Sequence, residues 1–93
     1  MKVGWAATAE GDLDRIVLYI GQDSPMAALQ MQARLVEAAA SLARFPQRGR
    51  AGRIRGTREL PVIGTPYIMV YKIDPDFAWI LHLVHGAQSW PPT

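Results

Sequence analysis

Two helical patterns lie three residues apart, and that spacing constrains the fold more than any other feature. Leu13, Ile16, Val17 and Ile20 recur at i, i+3, i+4 and i+7, which is one apolar face of a helix ending near Gly21. Thr8 is the expected N-cap, with Glu10 and Asp12 near the positive end of the helix dipole. Ser24-Pro25 then opens a second helix, with serine at the cap and proline at the first helical position. The pattern carries it to about Phe45, where Pro46 forbids continuation. Ala28, Met31, Leu35, Ala38, Ala39 and Leu42 form its apolar stripe. A connector of only Gly21 to Asp23 makes the pair an antiparallel hairpin, whose apolar side must be buried on something else.

The rest of the chain supplies that something. Lys2 to Ala6, with Val3 and Trp5 alternating against Lys2 and Gly4, reads as a first strand. Three more strands are expected at Arg58 to Ile63, Tyr67 to Asp74 and Phe77 to His85. The second of these is apolar on both faces except for Lys72, which marks a central strand. Gly64-Thr65-Pro66 and Asp74-Pro75-Asp76 are the turns between them. Residues 46–57 read as a long loop, and the tail Gly86 to Thr93 as irregular. The order β-α-α-β-β-β describes a two-layer α+β domain, a helical hairpin packed on one face of a mostly antiparallel sheet. Ninety-three residues hold one such domain, 1–93.

Composition removes several classes of function. The chain has no cysteine, which excludes a disulfide scaffold, a thiolate zinc site and a cysteine nucleophile. No apolar run reaches the ~18 residues of a membrane span. The first residues lack the long apolar core of a signal peptide and soon meet Glu10, Asp12 and Asp14, so a cytoplasmic protein is expected.

Charge is the second strong signal. Net charge is only +2, yet residues 44–60 hold six arginines against the single acid Glu59. That segment carries +5 and the remainder −3. Arginine suits bidentate contact with phosphates and carboxylates. The cluster is either a solvated loop or a patch for nucleic acid or an acidic protein partner.

Catalytic and metal signatures are weak. The glycines at 49, 52 and 56 neither follow a strand nor precede a helix, so they make no phosphate loop. His82 and His85 are three apart on a strand, pointing to opposite faces, which is poor metal spacing. His82, placed on one face with Ile80 and Val84, reads as a hydrogen-bonded, partly buried histidine. His85, at the strand end, is the better acid–base candidate. Asp74 and Asp76 fit turn chemistry rather than a glycosidase pair. No cofactor and no metal are expected. Two classes survive: a binding module that presents arginines to a macromolecule, and a small nuclease using arginine on the phosphate with histidine as acid or base.

Several pieces of the chain, in order, sharpen the choice. They are Trp5, Ala9, Asp12-Leu13 and Tyr19-Ile20; Ser24-Pro25 with Ala27-Ala28; Leu42 through Phe45-Pro46 with Gly49-Arg50; Gly56-Thr57-Arg58-Glu59-Leu60; Tyr67 with Val70-Tyr71; and His85-Gly86-Ala87-Gln88 with Trp90-Pro91. In this order and spacing they resemble the ParE/RelE superfamily of bacterial toxins from type II toxin–antitoxin systems, over nearly the whole chain. The resemblance implies the β-α-α-β-β-β fold reached above. It implies one of two activities, inhibition of DNA gyrase in ParE-like members or ribosome-dependent messenger RNA cleavage in RelE-like ones. It also implies a cognate antitoxin, ParD-like or other, in a heterotetramer or larger complex, and a role in growth inhibition or plasmid stabilization.

RelE-like nucleases carry an arginine early in the penultimate strand, where this chain has Ile68 before Met69-Val70-Tyr71. They carry a basic residue near the end of the last strand, where this chain reads Leu83-Val84-His85-Gly86-Ala87. Isoleucine cannot hold a phosphate or stabilise a developing oxyanion. The resemblance therefore favours a ParE-like gyrase inhibitor that is not an enzyme, with Arg48, Arg50, Arg53, Arg55 and Arg58 contacting the target or the antitoxin. The alternative is a RelE-like mRNA interferase using Arg58 and His85. Leu18, Tyr19 and Leu29 lie off the core stripes and are the expected antitoxin-binding apolar surface.

Overall fold

A computed structural model describes residues 1–92. Its elements are β1 (Lys2–Trp5), α1 (Ala7–Gly21), α2 (Pro25–Ser41), β2 (Arg50–Ala51), β3 (Arg58–Pro61), β4 (Tyr67–Ile73) and β5 (Phe77–His85). The sheet order is β1-β5-β4-β3-β2. Only the β1–β5 pair is parallel; every other pair is antiparallel. β4 is the middle strand, as its two apolar faces predict. The helical hairpin lies on one face, where Leu35, Ala39 and Leu42 of the second helical segment and Ala9 of α1 meet Leu60, Met69, Tyr71, Ala78, Ile80 and Leu83. Fully burying a leucine such as Leu35 or Leu42 contributes about 1.5–3 kcal/mol, so this stripe is what holds the two layers together. No helix among the described residues is long and apolar enough to cross a membrane.

Four details differ from the sequence-based expectation. First, α1 begins at Ala7 and its cap position is Ala6, with no side-chain cap. Thr8 does other work: its hydroxyl donates to the Leu81 carbonyl at 2.6 Å. β1 is short and pairs with β5 only as far as Ile80, so the outer edge of β5 is open beyond that point. Thr8 and Asp12 of α1 satisfy it instead, Asp12 Oδ2 accepting from the Leu83 amide at 3.0 Å. An open strand edge demands such partners.

Second, α2 ends at Ser41, not Phe45. The chain continues in tighter turns, with the Leu42, Ala43 and Arg44 amides each donating three residues back. The Ser41 hydroxyl donates to the Ala38 carbonyl and favours that tightening. Ser24 does cap α2, its Oγ accepting from the Ala27 amide.

Third, residues 46–57 are not a structureless loop: Arg50 and Ala51 form β2, paired with Glu59 and Arg58. The sheet thus has five strands, and the order is β-α-α-β-β-β-β.

Fourth, Val70 pairs with His82 but Tyr71 with Ile80, so Leu81 is an extra, bulged residue. The bulge flips the alternation, and His82 shares a face with Val84 but not with Ile80. The strand ends fall a residue or two short of the expected bounds at β1, β3 and β4. In the expected tail, Thr93 lies outside the described residues, and 86–92 form turns and bends without regular structure.

Candidate interaction surfaces

The arginine segment is an ordered hairpin. Its turn is closed by the Gly52 amide donating to the Thr57 carbonyl at 2.8 Å. The Thr57 amide and hydroxyl both donate to the Ile54 carbonyl. Gly56 takes φ of +83° at the tip, a conformation glycine adopts without strain.

Two buried polar groups hold the hairpin to the sheet. Tyr71 is fully buried on β4, and its hydroxyl donates to the Pro46 carbonyl at 2.7 Å and accepts from the Gly49 amide at 2.8 Å. Gly49 is obligatory there, because a Cβ would sit 2.7 Å from the Tyr71 ring. The second group is Glu59, 1% exposed. Its carboxylate accepts from the Arg53 amide at 2.8 Å, from Arg53 Nη2 at 3.0 Å and from Arg53 Nε at 3.2 Å. Arg50 Nη2 lies 3.5 Å away. Burial alone would push the Glu59 carboxyl up, but the hydrogen bonds and charge of Arg53, with help from Arg50, hold it below the ordinary carboxylate range.

The five arginines singled out in the sequence therefore differ in what they do. Arg53 is committed to Glu59. Arg58 braces the segment before β2, donating from Nη1 to the Gly49 carbonyl at 2.6 Å and more distantly to that of Gln47. Arg48 donates to the Ser41 hydroxyl at 2.8 Å and is otherwise exposed. Arg50 keeps 60% of its side chain in solvent. Arg55 sits at the exposed tip and has no ion-pair partner among the described residues.

The second surface is apolar. Leu18 and Tyr19 on α1 are 71% and 73% exposed, and Leu29 on α2 is 60% exposed. Met26 and Val36 are exposed as well. Met26, Leu29 and Val36 stand at i, i+3 and i+10, an outer face of α2 that flanks its core stripe. The sequence reading missed Met26 and Val36, although that periodicity contains them.

The histidines lie near the far end of β5. His82 Nδ1 is 3.3 Å from Asp12 Oδ2, and its ring packs against Trp90. His85 is exposed; its Nδ1 accepts from the Ala87 amide at 3.0 Å and its ring meets Tyr67 edge-on. Burial, and secondarily Tyr19, pushes the Tyr67 phenol up.

Comparison with known proteins decides the family. A family model described as the ParE toxin of type II toxin-antitoxin systems matches residues 3–90. The chain belongs to the ParE toxin family. Protein Y4kP of Sinorhizobium fredii is 42% identical over 90 residues, covering 97% of this chain and 93% of that one. Toxin RelE2 of Caulobacter vibrioides is 41% identical over 87 residues, covering 94% and 97%. Among solved structures, a chain of the chromosomal ParDE toxin–antitoxin system from Pseudomonas aeruginosa superposes with a TM-score of 0.81 at 25% identity, covering 91% of this chain and 95% of that one. A chain of the RelBE2 toxin–antitoxin complex from Mycobacterium tuberculosis gives a TM-score of 0.68 at 29% identity, covering 90% and 95%. The protein is thus a ParE-family toxin of a type II system with the fold of its solved relatives.

In this ParE-family chain, Arg58 and His85 are not brought together. Arg58 is paired with Tyr71 and His85 with Tyr67, at opposite ends of β4. Four residues along a strand span about 13 Å, and two strand spacings add about 9–10 Å sideways. A single phosphate cannot touch both. Ile68 is half-buried on β4 with Val84 opposite, so that position offers no cation.

Proposed function

We propose that this ParE-family toxin inhibits DNA gyrase by presenting its arginine hairpin to the enzyme or its DNA, and that a cognate antitoxin neutralises it. The observation that carries the reading is the hairpin itself. Arg48, Arg50 and Arg55 project from a braced segment whose only acid, Glu59, is buried and already paired with Arg53. The segment thus offers a cationic surface with no exposed carboxylate to oppose an anionic partner. Arg53 and Arg58 belong to the same surface as its braces. The apolar residues at 68 and 83–84 support binding over hydrolysis, as does the separation of Arg58 from His85.

The antitoxin would cover Leu18, Tyr19 and Leu29, together with Met26 and Val36. Exposed apolar groups on two neighbouring helices suit an amphipathic partner segment. The complex would be a heterotetramer or larger, as in systems where the antitoxin itself dimerises.

The test is a plasmid supercoiling and cleavage assay with gyrase and the purified chain, with antitoxin added back. Loss of supercoiling or accumulation of cleaved plasmid, reversed by antitoxin, is the expected result. Full supercoiling at stoichiometric excess of folded toxin would reject gyrase as the target.

A further inference from the structure

Glu59 is the one buried charge of the molecule among the described residues, and its surroundings give it a role beyond stability. By register it shares with Arg50 and Val70 the sheet face turned away from the helices. No helix covers that face, yet Glu59 and Val70 are each 1% exposed. The turn 52–57 accounts for the cover over Glu59: Arg53 folds back so that its guanidinium and its own amide both close on the carboxylate. The backbone bond from the Arg53 amide fixes the chain at the start of the turn. The guanidinium bonds fix the side chain across it. Arg50, one strand over, is drawn to the same oxygen. Four nitrogens from two residues thus converge on one carboxylate, and Arg55 at the tip is left pointing to solvent.

We propose that Glu59 is a positioning residue: it uses Arg53 as a clamp to hold the hairpin in one shape, and so places Arg50 and Arg55 for the partner. This deepens the functional reading above and rests on it for the identity of the partner. A buried ion pair is a poor source of net stability, since desolvation of both charges offsets their attraction. What such a pair does supply here is geometry, because a carboxylate that accepts from both an amide and a guanidinium permits few arrangements of the turn.

Glu59→Met separates the two roles. Methionine has similar length, adapts to its surroundings and removes the buried charge; it leaves the Arg53 amide without its acceptor, while the Arg53 guanidinium can turn out to water. The full-length chain carrying Glu59→Met is expected to melt within about 5 °C of the parent. Amide exchange at Gly52 and Thr57 is expected to quicken by about tenfold or more. Neither amide bonds to Glu59, so a rise reports the shape of the hairpin and not merely a lost contact. Half-maximal gyrase inhibition is expected to need about tenfold more toxin, the equivalent of one well-placed charged contact.

Parent-like protection at Gly52 and Thr57 in a folded variant would overturn the proposal, and so would faster exchange with undiminished inhibition. If Glu59→Met fails to fold, Glu59→Gln serves the same comparison, since its amide nitrogen faces donors and cannot close the clamp. Should the parent itself leave gyrase untouched, the gyrase reading falls, and the exchange comparison still decides whether Glu59 shapes the hairpin.

Discussion

The arginine hairpin and the exposed side of the helical hairpin are both surfaces, but they are built in opposite ways. Leu18, Tyr19 and Leu29 stand on regular helices whose shape is set by the core stripe behind them. They need no further support. Arg48, Arg50 and Arg55 stand on a segment with only two residues of strand, and a buried phenol and a buried carboxylate must hold it in place. An apolar patch on a helix is therefore tolerant of change around it. A cationic patch on a hairpin depends on residues buried beneath it.

The largest effect should come from reversing the charge of the presented arginines. Arg48, Arg50 and Arg55 changed together to glutamate are expected to lower gyrase inhibition by at least about 100-fold, since like-charge contacts cost several kcal/mol. Arg50→Glu sets a second carboxylate beside Glu59, so the pair Arg48 and Arg55 changed without Arg50 serves as the control in which circular dichroism and the hairpin should remain those of the parent. Undiminished inhibition by the folded variant would remove the hairpin from the target surface.

The apolar patch comes next. Leu18, Tyr19 and Leu29 changed together to serine are expected to weaken antitoxin binding by about 10–100-fold in calorimetry, with gyrase inhibition intact. The contrast with the arginine variant is the point: each set should lose one interaction and keep the other. Loss of both by either set would show that the two surfaces are not separate.

The bracing groups are a step smaller. Tyr71→Phe leaves the Gly49 amide and the Pro46 carbonyl without their partner and is expected to cost about 2 kcal/mol in denaturant unfolding. No residue on the exposed helical face should approach that cost.

Glu59 adds a pH dependence. Its carboxyl is held below its unfolded value, so its stabilising contribution is fully present above the ordinary carboxylate range and is withdrawn as pH falls through that range. Acid unfolding of the parent should therefore be steeper than that of Glu59→Met. Identical profiles would show that the carboxylate is not coupled to folding. Smallest of all, His85→Ala is expected to leave gyrase inhibition unchanged, since the ring is exposed and remote from the hairpin.

Much of this was legible in the residues. The helical hairpin follows from a 3.6-residue period, a Ser-Pro start and a three-residue connector, all local signals. The central position of β4 follows from its two apolar faces. The exposed trio on the helices follows from lying off the core stripes. The short strand β2 left no such trace, because two residues have no period and their pairing with Glu59 and Arg58 is made across a turn. The bulge at Leu81 was equally silent, and with it the true face of His82. Thr8 looked like a cap because the sequence could not show that β1 stops early and leaves the edge of β5 open.

By itself, then, the sequence determined the layers, the strand that lies in the middle, the family and the concentration of positive charge in one segment. The family rests on the resemblance of ordered motifs to known toxins; the rest follows from local periodicity, turn chemistry and composition, which act over a few residues. Only the tertiary structure decided which arginines brace and which are presented. That division depends on Tyr71 and Glu59 reaching residues that the chain brings alongside only once the sheet has formed, where a buried hydroxyl or carboxylate must find its partners because water cannot supply them.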